Sequence, residues 1–162
     1  MVEIVEMGNS EIEELLNRSA YGHIACSLND HPYVVPIHFS YEAPFVYIYT
    51  TEGKKSEIMR ANPEVCLQTE EVDSNDTWKS VIVIGDAEEI VDRDERESAM
   101  EVIRKRNPEL TPAISVRWMD NWVRENIEVI FRIIPKTKTG RATVKRLRSR
   151  DAIFTGSKKR HD

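Results

Sequence analysis

At 162 residues, with 40% hydrophobic and 31% charged side chains and a formal net charge of −5, the chain has the length and composition of one globular domain. Such a chain buries enough surface to fold without a disulfide or metal staple. No apolar run reaches the roughly 20 residues of a membrane-spanning helix, and the acidic start MVEIVEMGNSEIEELL lacks the regions of a secretory signal. Cys26 and Cys66 stand alone within apolar stretches, and the four histidines show no metal-ligand spacing. This predicts reduced, buried thiols in a cytoplasmic protein with no metal site.

In chain order, NSEIEELLNRSAYG predicts a helix with Ser10 as N-cap and Glu13 completing a capping box; Ile12, Leu15 and Leu16 form its apolar stripe and Gly22 ends it. HIACSL predicts a strand, followed by a turn at Asn29-Asp30. HPYVVPIHFSY alternates, with Tyr33, Val35, Ile37, Phe39 and Tyr41 on one face; it is expected to form a hairpin with FVYIYT. GKKSEIMRA predicts a short helix stopped by Asn62-Pro63, and EVCLQTEEV a further strand. WKSVIVIGDAEEIV predicts a long strand with a bulge or bend at Gly85. DRDERESAMEVIRKR predicts a helix with acids first and bases last, as the helix dipole favours. SVRWMDNWVREN is a shorter helical or irregular stretch, and IEVIFRIIP the last clear strand. Five or six antiparallel strands interrupted by helices predict a closed or half-closed barrel.

The charge is uneven. From Lys136 onward ten Lys and Arg face two Asp, a net of +8, so residues 1–135 carry −13. The expected organisation is a domain over 1–135 and a basic tail over 136–162. A single aromatic, Phe154, and no nucleic-acid motif disfavour nucleic acid as the tail's partner. They favour a solubilising tail that folds back on the acidic body.

Standard catalytic constellations are absent: there is no GxSxG, HExxH or CxxC, and GKKS lacks the first glycine of a P-loop. The stretch from Thr50 to Ser56 is more informative. Hydroxyls of Thr50, Thr51 and Ser56 and cations of Lys54 and Lys55 meet at one strand–helix junction. The unpartnered N–H groups of a helix start point the same way. These are the donors that a terminal phosphate takes. The alternative is a solvated helix start with ordinary lysines, in which two cations oppose the helix dipole. His38, in mid-strand, is either a structural histidine or a catalytic one.

HPYVVPIHFSY, FVYIYTTEGKKSEIMRANPEVCL and WKSVIVIGDAEEI, in that order, resemble the FMN-binding split-barrel superfamily. That group includes pyridoxamine 5′-phosphate oxidases and nitroimidazole-resistance-like flavoproteins, and the resemblance covers roughly residues 10–105. It implies a mainly β (α+β) fold, a six-stranded antiparallel split β-barrel, and a homodimer with FMN at the interface. It implies that Lys54 and Lys55 grip the FMN phosphate beside Tyr49, Thr50 and Thr51. Backbone of Pro36, Ile37, His38 and Phe39 would line the flavin ring, and Ser80 with Trp78 nearby would reach the partner's flavin. Trp118 and Trp122 either cap that flavin or pack. The oxidases' C-terminal tryptophan and Arg-x-His-like signature are missing, and FRIIPKTKTGR is closer to the nitroimidazole-resistance-like ending. Histidine stands in many of those proteins where this chain has Tyr49. The implied function is an FMN-dependent oxidoreductase acting on a small molecule. A non-catalytic flavin- or haem-binding protein is the alternative, and a nucleic-acid-associated protein the second.

Overall fold

The structure, a computed structural model, describes residues 2–109 and 127–145. Trp118, Trp122 and residues 146–162 lie outside the described residues. The elements in order are β1 (Val2–Glu6), α1 (Asn9–Arg18), β2 (Tyr21–Leu28), β3 (His31–His38), β4 (Ser40–Glu42), β5 (Phe45–Thr51), α2 (Lys54–Ala61), β6 (Glu64–Ser74), β7 (Thr77–Glu89), α3 (Arg93–Arg106) and β8 (Glu128–Lys145).

The strands form one antiparallel sheet in the order β3-β2-β6-β7-β8-β5-β4, with β1 added to the C-terminal half of β8. Six strands of seven or more residues make the split barrel, and β1 and β4 are short additions. The curled sheet does not close: Cα atoms of β3 and β5 approach within 8 Å, yet the two strands do not pair. That opening is the split. Alternation fills the interior with Ile24, Ile37, Ile48, Leu67, Val81, Val83 and Phe131, and Leu15 and Leu16 of α1 join the same core. α3 lies outside, where Ala99 and Ile103 cover Ile130 of β8 beside Tyr47 and Tyr49 of β5.

Several sequence expectations shift. The helix cap is Gly8, whose N–H donates to Glu11 Oε2 at 3.0 Å, two residues before the expected Ser10–Glu13 box. Glu13 is engaged in tertiary contacts: Tyr41 Oη donates to it at 2.6 Å and Lys138 pairs with it. Gly22 lies inside β2, where a Cβ would sit 2.3 Å from the Gln68 carbonyl oxygen of β6. Residues 31–41 are not one strand hairpinned to β5. The Asn29-Asp30 turn, with φ of 51° and 61°, returns β3 onto β2. The chain then breaks at Phe39, whose N–H donates to the Ala20 carbonyl, and only β4 pairs with β5.

The expected boundary at 135 falls inside β8. The register between β7 and β8 slips at Ile84/Gly85, where Gly85 pairs with Pro135 and Lys136 is the extra residue. A bulge is where a strand tolerates a residue without an N–H. The strand therefore continues through Lys145. Three of its lysines turn back on the acidic body: Lys136 pairs with Asp86, Lys138 with Glu13 and Lys145 with Asp76.

Candidate functional site

β5 delivers the junction. Its even positions Val46, Ile48 and Thr50 point into the core, and Thr51 is buried beside them. Glu52 and Gly53 then turn the chain into α2. Glu52 N–H donates to the Ile127 carbonyl at 2.8 Å, and Gly53 N–H donates to Ser56 Oγ at 2.9 Å. Ser56 is fully buried and its hydroxyl donates to Glu52 Oε2 at 2.7 Å, so it braces the turn. The first intrahelical bond runs from Glu57 N–H to the Gly53 carbonyl. The N–H groups of Lys54, Lys55 and Ser56 precede it and have no partner within the helix.

Arg60, two turns on, locks this corner. Its guanidinium pairs with Glu52 and donates to Glu89 Oε1 at 2.9 Å, and it lies 5.9 Å from the Phe131 ring centre. Hydrogen bonds from Arg60 hold both carboxyls below the ordinary glutamate value. The acid nearest the two lysines is thereby occupied.

The lysines diverge, as neighbours on a helix do. Lys54 reaches over β3, with Nζ 4.9 Å from the Tyr33 ring centre. Lys55 is half-buried, 3.5 Å from the Thr51 carbonyl and within electrostatic reach of Cys26, and burial lowers its pKa. Burial raises the Cys26 thiol, so it stays protonated at neutral pH.

β3 supplies the other wall of the split. It pairs only with β2, so its far edge is open. Pro32 and Pro36 stand opposite Ser27 and His23. Proline has no N–H and takes positions whose N–H would face away from the partner strand. Val34 and His38 share that parity and turn their backbone N–H toward the open edge. Ile37 and Phe39 have the other parity and are buried. Of the stretch from Pro36 to Phe39, His38 thus gives the edge its N–H. The His38 ring is exposed, with Nδ1 3.3 Å from the Ala20 carbonyl and the Tyr21 ring 5.5 Å away, edge-on.

The remaining residues named from sequence lie elsewhere. The Tyr49 side chain faces α3, opposite Thr50; burial, then its bond to Glu128, pushes its pKa up to about 12. Ser80 and Trp78 lie on the outer face of β7, where Gln68 Nε2 donates to Ser80 Oγ at 3.2 Å and Thr143 Oγ1 accepts from Trp78 N–H at 3.0 Å. Tyr33 is level with Cys26, Val65 and Gly85 across the sheet. Ser80 is therefore about 17 Å further along β7, at about 3.3 Å per residue. Within one chain, Ser80 and Trp78 do not join the lysines. A shallow groove of about 420 Å³ on α3, lined by Arg93, Arg96, Glu97, Met100 and Arg104, lies on the Tyr49 side of β5, away from the lysines. Sequence reading did not single out Tyr33 for the lysines, nor Arg60 and Glu89. The available signal was weak: Arg60 is the basic residue in the last turn of a helix whose first residues are lysines.

Comparison with known proteins agrees with the fold. Residues 8–142 match the pyridoxamine 5′-phosphate oxidase family. An FAD-binding protein of Mesorhizobium loti has 30% identity and a TM-score of 0.69, covering 90% of this chain and 100% of that one. A candidate 5-nitroimidazole antibiotic resistance protein of Bacteroides thetaiotaomicron shares the fold at 22% identity, with a TM-score of 0.68 over 88% of this chain and 89% of that one. An uncharacterized protein of Rhizobium meliloti (strain 1021) is 36% identical over 84 residues, 52% of this chain. The match spans 56%, little more than half, of that relative's length. With its split barrel and with the match running through most of its length, the chain belongs to the pyridoxamine 5′-phosphate oxidase family.

Proposed function

We propose that this protein is a homodimeric, FMN-binding oxidoreductase that acts on a small molecule. The observation that carries the reading is the corner at the start of α2. Two ammonium groups and three helix-start N–H groups gather at the turn out of β5, with Lys54 over Tyr33 of β3. This donor set suits a phosphate dianion. The His38 N–H on the open edge suits a flavin carbonyl or ring nitrogen. Bound flavin would supply the redox chemistry, and the chain would bind, orient and shield it. The exposed His38 ring would pass a proton to or from a substrate on that side.

The dimer is supported by the outer face of the sheet. Val34, Tyr21, Ile84 and Ile82 are 62%, 50%, 39% and 38% exposed there. Val34 and Ile84 lie in one cross-strand row with Ala25 and Cys66. A second copy covering this face would bring its Ser80 and Trp78 toward the first copy's flavin.

The test is Lys54→Ala/Lys55→Ala, followed by flavin-fluorescence quenching. A charge-assisted hydrogen bond contributes about 1.5–3 kcal/mol, so FMN affinity should fall at least about tenfold. Riboflavin, which has no phosphate, should change little. Unchanged FMN affinity would make the lysines a solvated helix start. Turnover is tested separately, by anaerobic bleaching of the bound flavin with NADH or NADPH; a non-catalytic carrier would not bleach.

A further inference from the structure

We infer that Tyr33 is a positioning residue for phosphate capture: its ring holds the Lys54 ammonium across the split while leaving its charge unneutralised. This rests on the reading of Lys54 and Lys55 as phosphate ligands. The contact spans two elements, with Tyr33 on β3 and Lys54 opening α2, and Nζ stands 4.9 Å from the ring centre. Tyr33 is half-buried and packs against the barrel core, so the ring is a fixed platform.

Other cations of the chain show the contrast: Arg18, Arg60, Arg132, Lys136 and Lys138 are held by carboxylates. Among the described residues no carboxylate lies within 4.0 Å of the Lys54 ammonium. A carboxylate would fix the ammonium but cancel its charge toward an incoming anion. The negative face of an aromatic ring fixes it and leaves the charge. A ring also covers one side only, so the remaining ammonium donors stay available for phosphate oxygens. A free lysine side chain loses rotamer freedom when it binds; one already seated on a ring loses less at that moment. Glu52, at the turn before Lys54, is taken by Arg60 and Ser56. Lys55 is 3.5 Å from the Thr51 carbonyl and within electrostatic reach of Cys26, the β2 residue opposite Tyr33. The two cations therefore reach one cross-strand pair, Lys54 toward Tyr33 and Lys55 toward Cys26, and Tyr33 sets the position of the exposed one.

The experiment compares FMN and riboflavin affinities in wild type, Tyr33→Leu, Tyr33→Phe and Lys54→Met, with the Tyr33→Leu/Lys54→Met double variant closing the cycle. Tyr33→Leu should reduce the preference for FMN over riboflavin about three- to tenfold. Tyr33→Phe, which keeps the ring, should retain the wild-type preference. In the Lys54→Met background, Tyr33→Leu should have no further effect. If Tyr33→Leu does not fold, Tyr33→Thr, a strand-forming residue without a ring, takes its place. A wild-type preference for FMN that survives in Tyr33→Leu, or that Tyr33→Phe also loses, overturns the role of the ring. No preference for FMN in the wild type overturns the phosphate reading itself, and this inference with it.

Discussion

Arg60→Met separates the bracing of the phosphate corner from the corner's own chemistry. The substitution keeps an unbranched apolar side chain and removes the guanidinium, which lies over the Phe131 ring and joins Glu52 to Glu89. Side chains in both pairs are about one-third exposed or less, at 36% for Arg60, 31% for Glu52 and 22% for Glu89. Exposed ion pairs contribute about 0.2–1 kcal/mol each. Two pairs sharing one guanidinium, with two like charges left facing each other when it goes, put the loss at about 1–2 kcal/mol. With a urea slope of roughly 2 kcal/mol per molar, the denaturation midpoint should fall by about 0.5–1 M. The pH dependence follows from the direction of the carboxyl shifts. Both pKa values lie below the ordinary 4.5 in the folded state. Their stabilisation is present above the unfolded value and is lost as pH falls through the folded one. The gap between wild type and variant should therefore be full at about pH 7 and shrink as pH falls below 4.5. Equal midpoints at neutral pH, or a gap that persists undiminished in acid, would refute the bracing role.

Two further outcomes follow from the barrel. Gly85→Ala places a Cβ 2.3 Å from the Ile134 carbonyl oxygen; forcing two backbones apart at the bulge should cost about 1–3 kcal/mol, read as a lowered thermal midpoint. Tyr41→Phe removes the 2.6 Å donor to Glu13; a hydrogen bond to a charged group contributes about 1.5–3 kcal/mol, and the loss should be measurable by urea denaturation at neutral pH with the fold retained.

The corner proposed to take a phosphate was legible as a strand–turn–helix junction because its parts are contiguous in sequence: a strand ending in threonines, a glycine turn, two lysines and a helix stopped by proline. What was not legible depends on pairing. HPYVVPIHFSY alternates without interruption, so its period does not reveal that the chain leaves one half of the barrel at Phe39 and enters the other. The Ser10–Glu13 spacing is a valid cap signal, but Tyr41 and Lys138 claim Glu13 from distant strands. Pro135 signals the end of a strand; the bulge opposite Gly85 that accommodates it comes from another element. β1 carries apolar residues among acids, and with five residues it has too little pattern to stand apart from an acidic leader. The Tyr33–Lys54 contact crosses a gap between strands that do not pair, which no local spacing records.

The most direct test of the central claim is sedimentation velocity of the full chain with stoichiometric FMN, followed in the visible flavin band. The flavin should travel with protein at the mass of a dimer, at one FMN per chain, and riboflavin should be retained less well. Flavin that sediments apart from the protein, or a monomer that carries FMN without dimerising, would contradict it.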